Sequence, residues 1–111
     1  MRVSEIRHYL TAAGKNAFES WLLSLRDDKT EAKIDARLYR LAHGNSGDCK
    51  PVGSGVWELR IDWGPGYRVY YAMIGRQCVL LLGGGDKRKQ SSDIATAIDR
   101  LNDFKLRSLK Q

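Results

Sequence analysis

The sequence predicts an α+β fold: a small, mostly antiparallel sheet packed by an N-terminal helical hairpin and a C-terminal helix, in the order β-α-α-β-β-β-α. Three observations predict it. Between Val56 and Ile74 the apolar residues alternate with period two on both sides of Gly64-Pro65-Gly66, which is the pattern of a β-hairpin. Before that hairpin, Phe18, Trp21, Leu22 and Leu25, and then Ile34, Leu38 and Leu41, recur at helical spacing; after it, Ile94, Ala97, Ile98, Leu101 and Phe104 do the same. The chain of 111 residues is 42% hydrophobic, which predicts a single domain over 1–111. A domain of this size buries roughly two-thirds of its unfolded surface.

The elements follow in order. Val3, Glu5 and Arg7 alternate with Arg2, Ser4, Ile6 and His8, so Arg2 to His8 reads as a short edge strand. Gly14 breaks the pattern, and Asn16 with Glu19 three residues on resembles a helix-capping arrangement. Asp27-Asp28-Lys29 interrupts this first helix. Asp28 and Glu31 are placed to cap a second one, whose outer face carries Lys33, Arg37 and Arg40. His43 to Gly55 is rich in turn residues and reads as a loop. In the hairpin, Trp57, Leu59 and Ile61 share one face while Glu58, Arg60 and Asp62 share the other. On the second strand Tyr67, Val69, Tyr71 and Met73 alternate with Arg68, Tyr70, Ala72 and Ile74. Val79 to Leu82 has no polar positions and should be a central strand covered on both faces. The last helix is expected to open near Ser91-Ser92-Asp93, with hydroxyls to cap it.

Composition narrows the function classes. Nineteen Lys+Arg against thirteen Asp+Glu give +6, a balance that suits nucleic acid or an acidic protein partner. The start of the chain is polar and the longest apolar runs are too short to span a bilayer, so a cytoplasmic protein without membrane association is expected. Cys49 and Cys78 form no CxxC or metal spacing, and Cys78 reads as a reduced core thiol. With only His8 and His43, neither near a glycine elbow, no Ser/His/Asp or Cys/His arrangement is present. No ligand spacing suggests a metal or cofactor. Gly83-Gly84-Gly85-Asp86-Lys87 lacks the Walker spacing, and Asp86 would repel a phosphate.

Cations remain. Arg60 and Arg68 should sit close together on neighbouring strands, with Glu58 and Tyr70 on the same or an adjacent patch. Lys87, Arg88 and Lys89 follow the buried strand. Arginine suits phosphate because its planar fork binds bidentately and keeps its charge. The blander alternatives are an Arg60 paired with Glu58 or Asp62, and a solvated turn at Lys87 to Lys89.

The strings GVWELRIDWGPGYRVYY and LLLGGGDKRKQSSDI, with AAGKNAFESWLLSL and DCKPVGSGV, resemble the RelE/ParE superfamily of bacterial type II toxins. The likeness runs nearly the whole chain and is nearest to the phage-derived, HigB-like addiction module killers. It implies a RelE-like fold and a metal-independent endoribonuclease that cleaves mRNA on the ribosome, with the 2′-hydroxyl attacking the adjacent phosphate. It also implies a cognate antitoxin, HigA-like with a helix-turn-helix, through which alone the toxin meets DNA. By the same resemblance Arg68 is the motif arginine expected to stabilise the phosphate, Arg60 matches a catalytic-site basic position on the preceding strand, one of Lys87 and Arg88 is the candidate acid or charge stabiliser, and Lys89 is a candidate RNA contact. Glu58 stands where RelE has a lysine, either as a general base or as a salt-bridge partner of Arg60. RelE's tyrosine falls near Ile94, so Tyr70 is the candidate replacement ring. Arg37 and Arg40 are candidates for a wider RNA footprint or a solvated face. A ParE-like gyrase inhibitor without chemistry of its own, and a degenerate toxin that only binds its antitoxin, share the expected fold.

Overall fold

The computed structural model describes residues 3–110, and its order is β1 (Glu5–His8), α1 (Ala17–Ser24), α2 (Asp28–Ala42), β2 (Cys49–Gly53), β3 (Val56–Ile61), β4 (Tyr67–Ile74), β5 (Cys78–Gly85), a 3-10 turn (Lys87–Lys89) and α3 (Gln90–Ser108). The five strands form one sheet ordered β1-β5-β4-β3-β2. β1 runs parallel to β5 and every other neighbour is antiparallel. This is the expected α+β architecture, and its topology is RelE-like. Arg2, the first residue of the expected edge strand, lies outside the described residues.

The strand alternation sorts side chains onto two covered faces. Leu59, Ile61, Val69, Tyr71, Val79 and Leu81 pack with Phe18 and Leu22 of α1 and Ile34, Leu38 and Leu41 of α2. Val56, Tyr70, Ala72, Leu80 and Leu82 pack on the opposite face with Ala97 and Leu101 of α3. Val79 to Leu82 is completely buried, as its apolar run predicts for a strand covered on both sides.

Three local readings need correction. A fifth strand, β2, occupies Cys49–Gly53, inside the stretch expected to be loop. Pro51 and Gly53 hide it, yet an edge strand tolerates both, and the register shifts between them. At α2 the capping side chain is Asp27, which accepts from Lys29 N at 3.1 Å, while Asp28 is the first helical residue. At α3 no hydroxyl caps the helix: Ser92 Oγ donates to Lys89 O instead. Asp86 caps the 3-10 turn by accepting from Arg88 N at 2.9 Å. The Asn16 cap of α1 forms as expected, accepting from Glu19 N at 3.0 Å.

Candidate functional site

The β3–β4 hairpin positions the central cations. Gly64 (φ 57°) and Gly66 (φ 82°) take left-handed conformations that let the chain reverse, and Gly66 N donates to Trp63 O at 3.2 Å. The register that follows sets Arg60 opposite Arg68 and Glu58 opposite Tyr70. All four lie on the face that α3 covers. Two guanidiniums directly opposite each other repel. Glu58 offsets this: its carboxylate lies 3.2 Å from Arg60 Nε and 3.5 Å from Arg68 Nε.

Glu58 is fully buried, an environment that excludes an uncompensated carboxylate. Its second oxygen accepts from Gln90 Nε2 at 2.8 Å, so the first residue of α3 closes over it. Arg60 completes a hydrogen bond to Glu58, whereas Arg68 Nε makes none. Arg68 Nη1 donates to Gly66 O at 2.8 Å. The side chains differ in access: Arg60 is 37% exposed and Arg68 12%. Together they present a fixed pair of positive charges at a surface whose buried counter-charge is Glu58.

The basic turn after β5 divides. Lys87 and Lys89 are exposed, and a Cβ built at Gly66 would lie 4.0 Å from Lys87 Cβ, which places Lys87 beside the hairpin turn and Arg68. Arg88 is held on Asp86 by a 2.9 Å ion pair. That hydrogen bond lowers the Asp86 pKa and raises that of Arg88. Tyr70 is buried and its hydroxyl has no hydrogen-bond partner. Burial, and then the nearby Glu58 carboxylate, raise its phenol pKa well above the usual range. Its ring therefore has no exposed face on which a base would stack. Arg37 and Arg40 stand apart from this cluster, on α2 and the opposite face of the sheet. Arg37 donates to Arg60 O at 2.6 Å and Ser46 O at 3.1 Å, tying the loop before β2 to β3; Arg40 is exposed.

Gln90 leaves little trace in the sequence: it is one polar residue at the turn-to-helix junction, 32 positions from its partner. Among the described residues no group of three or more His, Cys, Asp or Glu is placed to hold a metal ion. No helix among them is long and apolar enough to cross a membrane.

The topology and the guanidinium pair on the hairpin define a RelE-like domain with a basic site at one end of its sheet. The chain belongs to the family described as "Phage derived protein Gp49-like (DUF891)", which matches residues 20–102. It is also 51% identical over 80 residues to an uncharacterized protein of Haemophilus influenzae (strain ATCC 51907 / DSM 11121 / KW20 / Rd), covering 72% of this chain and 81% of that protein. The matched stretch begins in α1 and ends in α3, so the hairpin and the basic turn lie inside it.

Proposed function

We propose that this protein is the toxin of a type II toxin–antitoxin pair, HigB-like, acting as a metal-independent endoribonuclease on ribosome-bound mRNA. The observation that carries the reading is the Arg60–Arg68 pair held over the buried Glu58 carboxylate, with Lys87 alongside. In the reaction the 2′-oxygen forms a bond to the adjacent phosphorus and the bond to the 5′-oxygen breaks. The 2′-hydroxyl proton passes to solvent, and a proton is delivered to the leaving 5′-oxygen. The products are a 2′,3′-cyclic phosphate and a free 5′-hydroxyl.

Negative charge grows on the phosphorane oxygens in the transition state, and preorganised cations stabilise it there without reorganising. Arg68 and Arg60 take that role. Lys87, whose side chain is exposed, stands for the leaving oxygen; Lys89 lies further along the RNA path. Arg88, already bound to Asp86, is the poorer acid. Glu58 acts as a positioning residue, because a wholly buried carboxylate does not reach a 2′-hydroxyl. An acidic antitoxin segment complements the +6 chain, and the antitoxin's helix-turn-helix makes the DNA contact.

The test is the chemistry of the cut ends. Programmed ribosomes incubated with the purified protein should release fragments with 2′,3′-cyclic phosphate and 5′-hydroxyl termini, read by mass spectrometry. Fragments with 5′-phosphate ends would sink the mechanism.

A further inference from the structure

The three glycines ending β5 have a structural explanation that the phosphate site does not use. A Cβ at Gly83 would meet Arg100 Nη1 at 2.5 Å, one at Gly84 would meet the Trp21 ring at 2.3 Å, and one at Gly85 would meet Asp93 Oδ2 at 2.0 Å. All three distances are below any real Cβ contact, so each glycine admits one particular side chain. The three side chains come from α1 and α3 and meet around the end of β5. Among the described residues β1 pairs with β5 only as far as Leu81, so the glycines beyond it have no strand partner on that side.

The result is a small cleft of about 190 Å³ lined by Trp21, Tyr70, Gly83, Gly84, Asp93 and Arg100, among others. It shares Trp21, Gly84 and Asp93 with a neighbouring cleft of about 420 Å³ that reaches Arg88 and Lys89. The polar groups on its walls are not satisfied by the protein. Tyr70 Oη is buried with no hydrogen-bond partner. Among the described residues the Asp93 carboxylate has no hydrogen-bond or ion-pair partner, and burial raises its pKa. Arg100 spends Nη1 on Leu82 O at 2.7 Å, which leaves its other N–H groups uncommitted. An acceptor, a donor fork and an aromatic wall around one opening do not resemble a phosphate site, because a bare carboxylate there repels phosphate.

We propose that this cleft is a nucleobase subsite, selective for guanine, that seats one base of the RNA beside the scissile phosphate. Guanine presents two adjacent donors, N1–H and N2–H, next to the O6 acceptor. An ionised Asp93 is acceptor-only and takes both donors; Arg100 donates to O6. Trp21 supplies the aromatic surface against which an unstacked base packs. In the adjoining cleft Arg88 is paired with Asp86, so Lys89 is the cation left to meet the backbone of that nucleotide on its way toward Lys87 and Arg68. Uracil and adenine offer the carboxylate a single donor group beside an acceptor and fit the same walls less well. The inference rests on the ribonuclease reading for its substrate but not for its geometry.

The experiment is a titration of the ¹⁵N-labelled protein with GMP, CMP, AMP and UMP. It follows the Trp21 indole N–H and the Gly83 to Gly85 amides by NMR, in wild type and Asp93→Asn. GMP should shift these signals with an affinity about tenfold to a hundredfold above UMP, the discrimination of one bidentate base contact, and Asp93→Asn should erase that preference. In cleavage-site mapping the same substitution should reduce the ratio of cuts at guanine-containing over guanine-lacking sites by a similar factor. Nucleotides that shift Arg60, Arg68 and Lys87 but leave Trp21 untouched, or that bind all alike at Trp21, would overturn the subsite while the ribonuclease reading stands. Guanine-selective shifts at Trp21 in a protein that cuts no RNA would keep the subsite and remove that reading.

Discussion

Replacing Glu58 by glutamine tests whether the arginine pair is held in place from beneath. The side chain keeps its shape and loses its charge. In the native protein the carboxylate is fully buried, accepts from Arg60 Nε and Gln90 Nε2, and lies 3.5 Å from Arg68 Nε. With glutamine, Arg68 keeps a guanidinium only 12% exposed with no counter-charge. Removing one partner of a buried pair costs about 3–5 kcal/mol, and the low end applies because Arg60 is exposed enough to rehydrate. A loss of about 3 kcal/mol in a domain of this size lowers the melting temperature by about 12 °C. Urea unfolding followed by circular dichroism measures it, with an unchanged m-value confirming that the native state is intact. Adding Arg68→Met should recover part of the loss, because it removes the orphaned charge. A loss under about 1 kcal/mol, or a double variant worse than the sum, would mean that Glu58 does not hold the pair in place.

Three further outcomes follow from the same packing. Thr30→Val removes a buried hydroxyl that accepts from Trp63 Nε1 at 2.9 Å and donates to Asp27 Oδ2 at 2.8 Å. It should cost about 1–3 kcal/mol by urea unfolding, chiefly through the stranded indole N–H. Asp93→Asn should stabilise the protein at neutral pH: burial raises the Asp93 pKa in the folded state, with Lys89, Asp86 and Arg100 as the neighbouring charges. The native state then binds more protons than the unfolded chain, so wild-type stability falls as pH rises through that raised value. The variant's advantage should be full above it and vanish below the ordinary aspartate value of 3.8, read from melting temperatures across pH. Arg37→Ala frees the carbonyls of Arg60 and Ser46 and should speed amide hydrogen exchange around residues 44–49, with protection in α3 unchanged.

Local patterns in the sequence carried the hairpin, the helical hairpin and the buried strand, because each depends on periodicity within a few residues. Arg60 and Arg68 face each other as the alternation around Gly64-Pro65-Gly66 requires. β2 escaped because Pro51 and Gly53 erase alternation in a strand whose identity comes only from pairing with β3. The burial of Glu58 escaped for a longer-range reason. A charged residue on an alternating strand normally faces water, and only the docking of α3, with Gln90 at its first turn, covers this one. The glycine run was equally opaque, since the Trp21, Asp93 and Arg100 side chains that need the space come from two distant helices.

The most direct test of the account is mRNA cleavage on programmed ribosomes, mapped by primer extension, for wild type and Arg68→Ala at matched circular dichroism. Wild type should make discrete cuts and the variant should lose about a hundredfold to thousandfold in cleavage, the effect of deleting one transition-state charge partner. Equal cleavage by the two proteins would contradict the role of Arg68. A folded wild type that arrests growth yet cuts no RNA would contradict the ribonuclease itself and direct the next assay to DNA gyrase.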